Sequence, residues 1–129
     1  MATIGTFDEL EVWQKARDLS LDVYNRTTSG PFARDFALKD QINRSSGSVP
    51  DNIAEGFGRG GNKELIQFLS YARGSMCELQ SQLFRALDRK HITHAEFDDL
   101  NSKATTVGKM ISKFMQYLSQ SGLKGTKFK

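Results

Sequence analysis

The chain has one cysteine, Cys77, and two prolines, Pro31 and Pro50, among 129 residues. A single cysteine excludes an internal disulfide framework and a cysteine-based zinc site. Amid helical-looking sequence, Cys77 reads as a small buried hydrophobe. No apolar run approaches the roughly 20 residues needed to span a bilayer. The opening stretch through Asp18 has no basic segment followed by an apolar one, so no secretory signal is read. The expected location is the cytoplasm, with no membrane partner. Charge of one sign is scarce too: 18 basic and 15 acidic residues leave +3.

What remains is an ordinary soluble composition. Hydrophobic residues make up 38% and charged residues 26%, with a mean hydropathy of −0.49. One domain of this length buries roughly 65–70% of its unfolded surface. The excess charge lies at the C-terminal end, where residues 93–129 carry 6 basic and 3 acidic groups.

Periodicity gives four helices and no strand. The first spans about 7–27, with Val12, Ala16, Leu19 and Val23 on one stripe and a capping-box spacing at Thr6 and Glu9. Gly30-Pro31 is read as its terminator. The second spans about 35–58 on Leu38, Ile42, Val49, Ile53 and Phe57; its Ser45-Ser46-Gly47-Ser48 centre has poor helix propensity, and Pro50 is expected to kink it. The third spans about 63–90 on Leu65, Leu69, Ala72, Met76, Leu79, Leu83 and Ala86, with Asn62 as the expected N-cap. The fourth spans about 94–120 on Phe97, Leu100, Ala104, Val107, Ile111, Phe114 and Leu118, with a second capping-box spacing at Thr93 and Glu96. Short links place successive helices antiparallel, giving an all-α, up-down-up-down four-helix bundle over residues 1–121. Residues 122–129 read as a flexible basic tail carrying Lys124 and Lys127.

Gln41, Arg44, Ser48, Asn52 and Glu55 are spaced 3, 4, 4 and 3 residues apart, within about an 80° arc of the second helix. They form either a solvated edge or a polar network meeting partners such as Glu78 or Arg73, buried in the bundle or at a subunit interface. On another face of that helix Asn43, Gly47, Pro50 and Ala54 are compact, which hints at a contact with a second copy. The glycine-rich stretch from Gly56 to Gly61 follows no strand and lacks a Gly-Lys-Ser/Thr end, so it is not a P-loop. Turn and cap glycines explain it, with an incidental anion site at Arg59 and Lys63 as the alternative. Lys109 and Lys113 share one face of the fourth helix with Gln116 and Gln120. That face is either solvated or fit for RNA or another polyanion. His91 and His94 lack a completing ligand set, and no nucleophile elbow is present. Neither a metal, a cofactor nor a catalytic set is expected.

Four segments taken together carry a resemblance: Phe7 to Ala16, Leu38 to Arg44, Ser48 to Gly56, and Ala72 to Leu79. The Asn-Ile-Ala-Glu-Gly block (Asn52 to Gly56) after Gln41-x-x-Arg44, then Gly74-Ser75-x-x-Glu78, resembles a bacterial four-helix-bundle family. Its proteins are encoded by intervening sequences within large-subunit ribosomal RNA genes. The resemblance covers about residues 7–119 and implies an antiparallel bundle assembling into a ring-like homopentamer, with no enzyme activity. The similar accessory proteins of diversity-generating retroelements imply binding of nucleic acid and a protein partner through a basic surface. A pentamer would carry about +15, which strengthens attraction to a polyanion.

Overall fold

The computed structural model describes residues 4–121. After one 3-10 turn at Phe7–Glu9 come five helices: α1 (Glu11–Arg26), α2 (Gly30–Arg34), α3 (Phe36–Gly58), α4 (Asn62–Asp88) and α5 (His94–Ser121). The described residues contain no strand and no helix long and apolar enough to cross a membrane. Lys124 and Lys127, with the tail expected over 122–129, lie outside the described residues.

The four long helices carry the expected apolar stripes inward. Ile42, Ile53, Leu69, Leu79, Leu83, Leu100 and Ile111 are all at or below 1% exposure. Side-chain pairs fix the antiparallel order around the bundle. Arg26 meets Glu96 and Lys103 meets Asp22 between α1 and α5. Arg85 donates to Gln41 between α4 and α3. Gln80 donates to Asn101 and Phe84 packs on Phe97 between α4 and α5. α1 and α3 meet where Asn43 Nδ2 donates to Thr27 Oγ1.

The N-terminal caps differ from one another. At α5 the capping box forms in both directions: Glu96 N–H donates to Thr93 Oγ1 and Thr93 N–H donates to Glu96 Oε1. The second Glu96 oxygen takes Arg26 at 2.9 Å. At the first helix the box does not form. Thr6 makes no side-chain cap, Glu9 Oε1 accepts from Gly5 N–H instead, and Leu10 is extended, so α1 begins at Glu11 rather than near 7. Asn62 is not the cap of α4 either. Gly61 is, and Asn62 is the first helical residue, buried with its Oδ1 unpartnered.

A further departure traces to glycine and proline. Gly30-Pro31, read as a stop, opens the short α2: Gly30 takes φ +65°, and proline fits a first helical turn because its missing N–H is not needed there. α2 buries Phe32 at 2% exposure. Helix α3 runs continuously through Pro50, which is buried. Beside it, Ser45 Oγ donates to Gln82 Oε1 at 2.6 Å, joining the small-residue centre of α3 to α4.

Asp35 caps α3 and ties it to the α4–α5 turn. Its Oδ1 accepts from Leu38 N–H, while Oδ2 accepts from His91 Nε2 and Arg89, each at 2.8 Å. The His91 ring stacks on Phe32 with centroids 4.8 Å apart. Hydrogen bonds from His91 and then Arg89 hold the Asp35 carboxyl down at about 2, against a smaller opposing effect of burial. A depressed carboxyl stabilises the fold above its unfolded pKa, and that contribution disappears as pH falls through the folded value. Melting temperature is therefore expected to drop between about pH 4 and pH 2. In Asp35→Asn the drop should be shallower, and an unchanged profile in thermal melts would remove Asp35 from the acid response.

Candidate nucleic-acid interface

The edge of α3 does not form a connected buried network within the chain. Arg44 is 78% exposed and pairs with Asp40 at 2.8 Å. Glu55 pairs with Arg59 at 2.9 Å. Asn52 Nδ2 donates to the Ser48 carbonyl, and Gln41 accepts from Arg85. The fold does bring Gln41, Arg44, Ser48 and Glu78 to one open groove between α3 and α4, of about 540 Å³. Partners one helical turn away satisfy most of these groups, because i, i+4 neighbours stack on one face. Arg73 is not among their partners; it faces α5.

At the glycine turn, the alternative anion site, Arg59 is taken up by internal contacts. Arg59 spans Glu55 and the Phe68 ring, with its guanidinium 4.9 Å from the ring centroid. Lys63 is exposed on the first turn of α4. Lys103 is likewise committed: hydrogen bonds that it donates to Asp22 and then Asp99 raise its ammonium above the usual lysine range.

Lys109 and Lys113 sit differently. They line a groove of about 480 Å³ between α4 and α5, opposite Arg73 and Cys77. Gln80, Thr105, Ser112 and Gln116 supply polar walls, and no carboxylate lines the groove. Arg73 Nη1 donates to Ser112 Oγ at 3.5 Å, a long contact that leaves most of the guanidinium's donors for other acceptors. Among the described residues, no carboxylate lies within ion-pair distance of Arg73, Lys109 or Lys113. Cys77 is exposed here rather than buried. The stripe turns inward at Met76, and the next residue is rotated by about 100° to the groove rim. The sequence offered Arg73 only as a partner for the α3 edge, because the pairing of α4 with α5 is what sets it across from Lys109. Its spacing of 4 and 7 residues from Cys77 and Gln80 is the signal that marks the shared face.

A second groove, of about 590 Å³, lies between α1 and α3. Trp13, Leu21 and Tyr24 line it on one side and Gly47 and Pro50 on the other. Leu21 and Tyr24 are 57% and 52% exposed. The compact face of α3 thus forms one wall of a mixed trough, whose apolar side chains Trp13, Leu21, Tyr24 and Pro50 alternate with Arg17, Ser20, Asn43 and Asp51. His94 is exposed and His91 is engaged with Asp35, so the two histidines share no site. Among the described residues, no group of three or more His, Cys, Asp or Glu is placed to hold a metal ion.

No curated protein matches the chain. A crystal structure from Bacteroides thetaiotaomicron, of a protein with unknown function from the S23 ribosomal protein family, is similar in fold. Its TM-score is 0.75 at 20% identity, covering 81% of this chain and 98% of that one. The 23S rRNA-intervening sequence protein family matches over residues 8–113, from the 3-10 turn to two-thirds of the way along α5, and the chain belongs to that family.

Proposed function

We propose that the protein is a non-enzymatic, cytoplasmic, self-associating helical scaffold that binds RNA along the α4–α5 groove. The observation that carries this reading is the carboxylate-free groove with Arg73, Lys109 and Lys113 on its rims. Five other cations among the described residues, Arg26, Arg44, Arg59, Arg89 and Lys103, are paired with Asp or Glu. Cations held without carboxylate partners favour phosphate, whose binding releases counterions. A family named for an intervening sequence of 23S rRNA makes RNA the natural polyanion to try.

Self-association is supported by the apolar side chains of the α1–α3 trough, since exposed apolar surface of this kind marks contact sites. Ring closure as a pentamer follows the family resemblance. It would give about 73 kDa in light scattering, five copies of a 14.5 kDa chain. A 14.5 kDa particle at micromolar concentration would end that part of the proposal.

Lys109→Glu with Lys113→Glu is expected to weaken RNA retention about 10- to 100-fold at low salt while leaving the melting temperature nearly unchanged. The slope of log affinity against log salt should shrink by about 1.4, two contacts at about 0.7 each for a single strand. Bound RNA should also slow alkylation of Cys77, the sole thiol, on the groove rim. Equal binding by the double variant, or equal alkylation with and without RNA, would remove the groove from the reading.

A further inference from the structure

We propose that the α4–α5 groove takes a single strand, stacking a base on Phe84 with phosphates toward Arg73, Lys109 and Lys113. This rests on the reading of the groove as a polyanion site and adds to it what distinguishes one nucleic acid from another.

Phe84 continues the α4 wall of the groove. Arg73, Cys77, Gln80 and Phe84 are spaced 4, 3 and 4 residues apart, so they follow one face of the helix. Cross-helix contacts confirm the line. Arg73 reaches Ser112, Gln80 donates to Asn101 and Thr105 at 3.1 and 3.3 Å, and Phe84 lies over Phe97. The two phenyl centroids are 4.7 Å apart with planes at 55°. Phe97 is 7% exposed and anchored in the core, whereas Phe84 is 54% exposed. The Phe84 ring is thus held on one side and open on the other, which is the requirement for a stacking platform.

Past the lined part of the groove, the charge changes sign toward that platform. Asp88 lies one turn beyond Phe84, and Asp98 is next to Phe97; both are exposed. Phosphate is repelled at this end and attracted at Arg73, 11 residues back, or about 16 Å along the helix. An uncharged base suits the aromatic end. The amides of Gln80 and Asn101 lie between the two ends, where base edges would pass. A duplex keeps its bases stacked inside and presents phosphate along its whole length, so it satisfies only the cationic end.

The test is fluorescence anisotropy with a short labelled oligouridine and an RNA duplex of the same length. Phe84→Ala is expected to weaken the single strand about five- to thirty-fold with the salt slope unchanged, and Phe84→Trp to bind like the parent. The duplex should bind more weakly than the single strand. Parent-like binding by Phe84→Ala, or a duplex that binds as tightly, overturns stacking and leaves the cationic groove standing. Failure of both probes at low salt overturns the groove reading as well. Displacement of the single strand by polyglutamate at matched charge, with no effect of Phe84→Ala, assigns the groove to an acidic protein segment and overturns the proposal.

Discussion

Gly56→Val is expected to lower the melting temperature by about 10 °C, from a loss of about 3 kcal/mol. Gly56 is buried where α3 crosses α4. A Cβ added there would stand 2.6 Å from Phe68 Cβ, 3.0 Å from Leu65 Cδ1 and 3.4 Å from Leu65 Cα. The first and last belong to the backbone end of α4 residues and cannot swing away, so the helices must part. Gly56→Ala should lose less, because alanine recovers about 1 kcal/mol of helix propensity. Gly47 and Gly74 supply the control. A Cβ at either meets nothing within 4 Å, so Gly→Ala there should raise stability of the folded chain by about 0.5–1 kcal/mol. Thermal or denaturant melts of the four variants read the sign directly. A Gly56→Val protein that melts like the parent would show that the α3–α4 approach is looser than described.

The second large effect concerns Ser45 and Gln82, which are 3% and 4% exposed. Ser45→Ala strands the Gln82 Oε1 that the hydroxyl served at 2.6 Å. Leaving a buried acceptor unpaired costs about 1–3 kcal/mol. Gln82→Leu is expected to cost less, since the Ser45 hydroxyl still has the Ile42 carbonyl at 3.2 Å. The double variant should lie near the parent, because an apolar pair needs no partner. A double variant as unstable as the sum of the singles would mean that the pair is not coupled.

The long helices were legible because their apolar residues recur at 3 and 4 over many turns. Met76, Leu79, Leu83 and Ala86 could face only a core, and they do. Local chemistry was less legible where a sequence pattern has two uses. Thr6 and Glu9 have the same spacing as Thr93 and Glu96, yet only the latter close a box, because the chain enters α1 through an extended Leu10. Gly30-Pro31 serves equally to end one helix and to begin another. The Asp35–Arg89–His91 cluster joins residues more than fifty positions apart, and no local spacing announces it. Arg73 and Phe84 are of the same kind. Each looks like an ordinary exposed residue of an amphipathic helix until the partner helix sets Ser112 or Phe97 against it.

The bifurcated use of Glu96 bears on how the chain assembles. Its carboxylate serves the start of α5 through one oxygen and the end of α1 through the other. Helix α1 therefore gains this flanking contact only from α5, some seventy positions further along the chain. That contact joins α1 to the start of α5 across a long stretch of intervening sequence. A truncation within α5 would thus be felt seventy positions upstream, at Arg26.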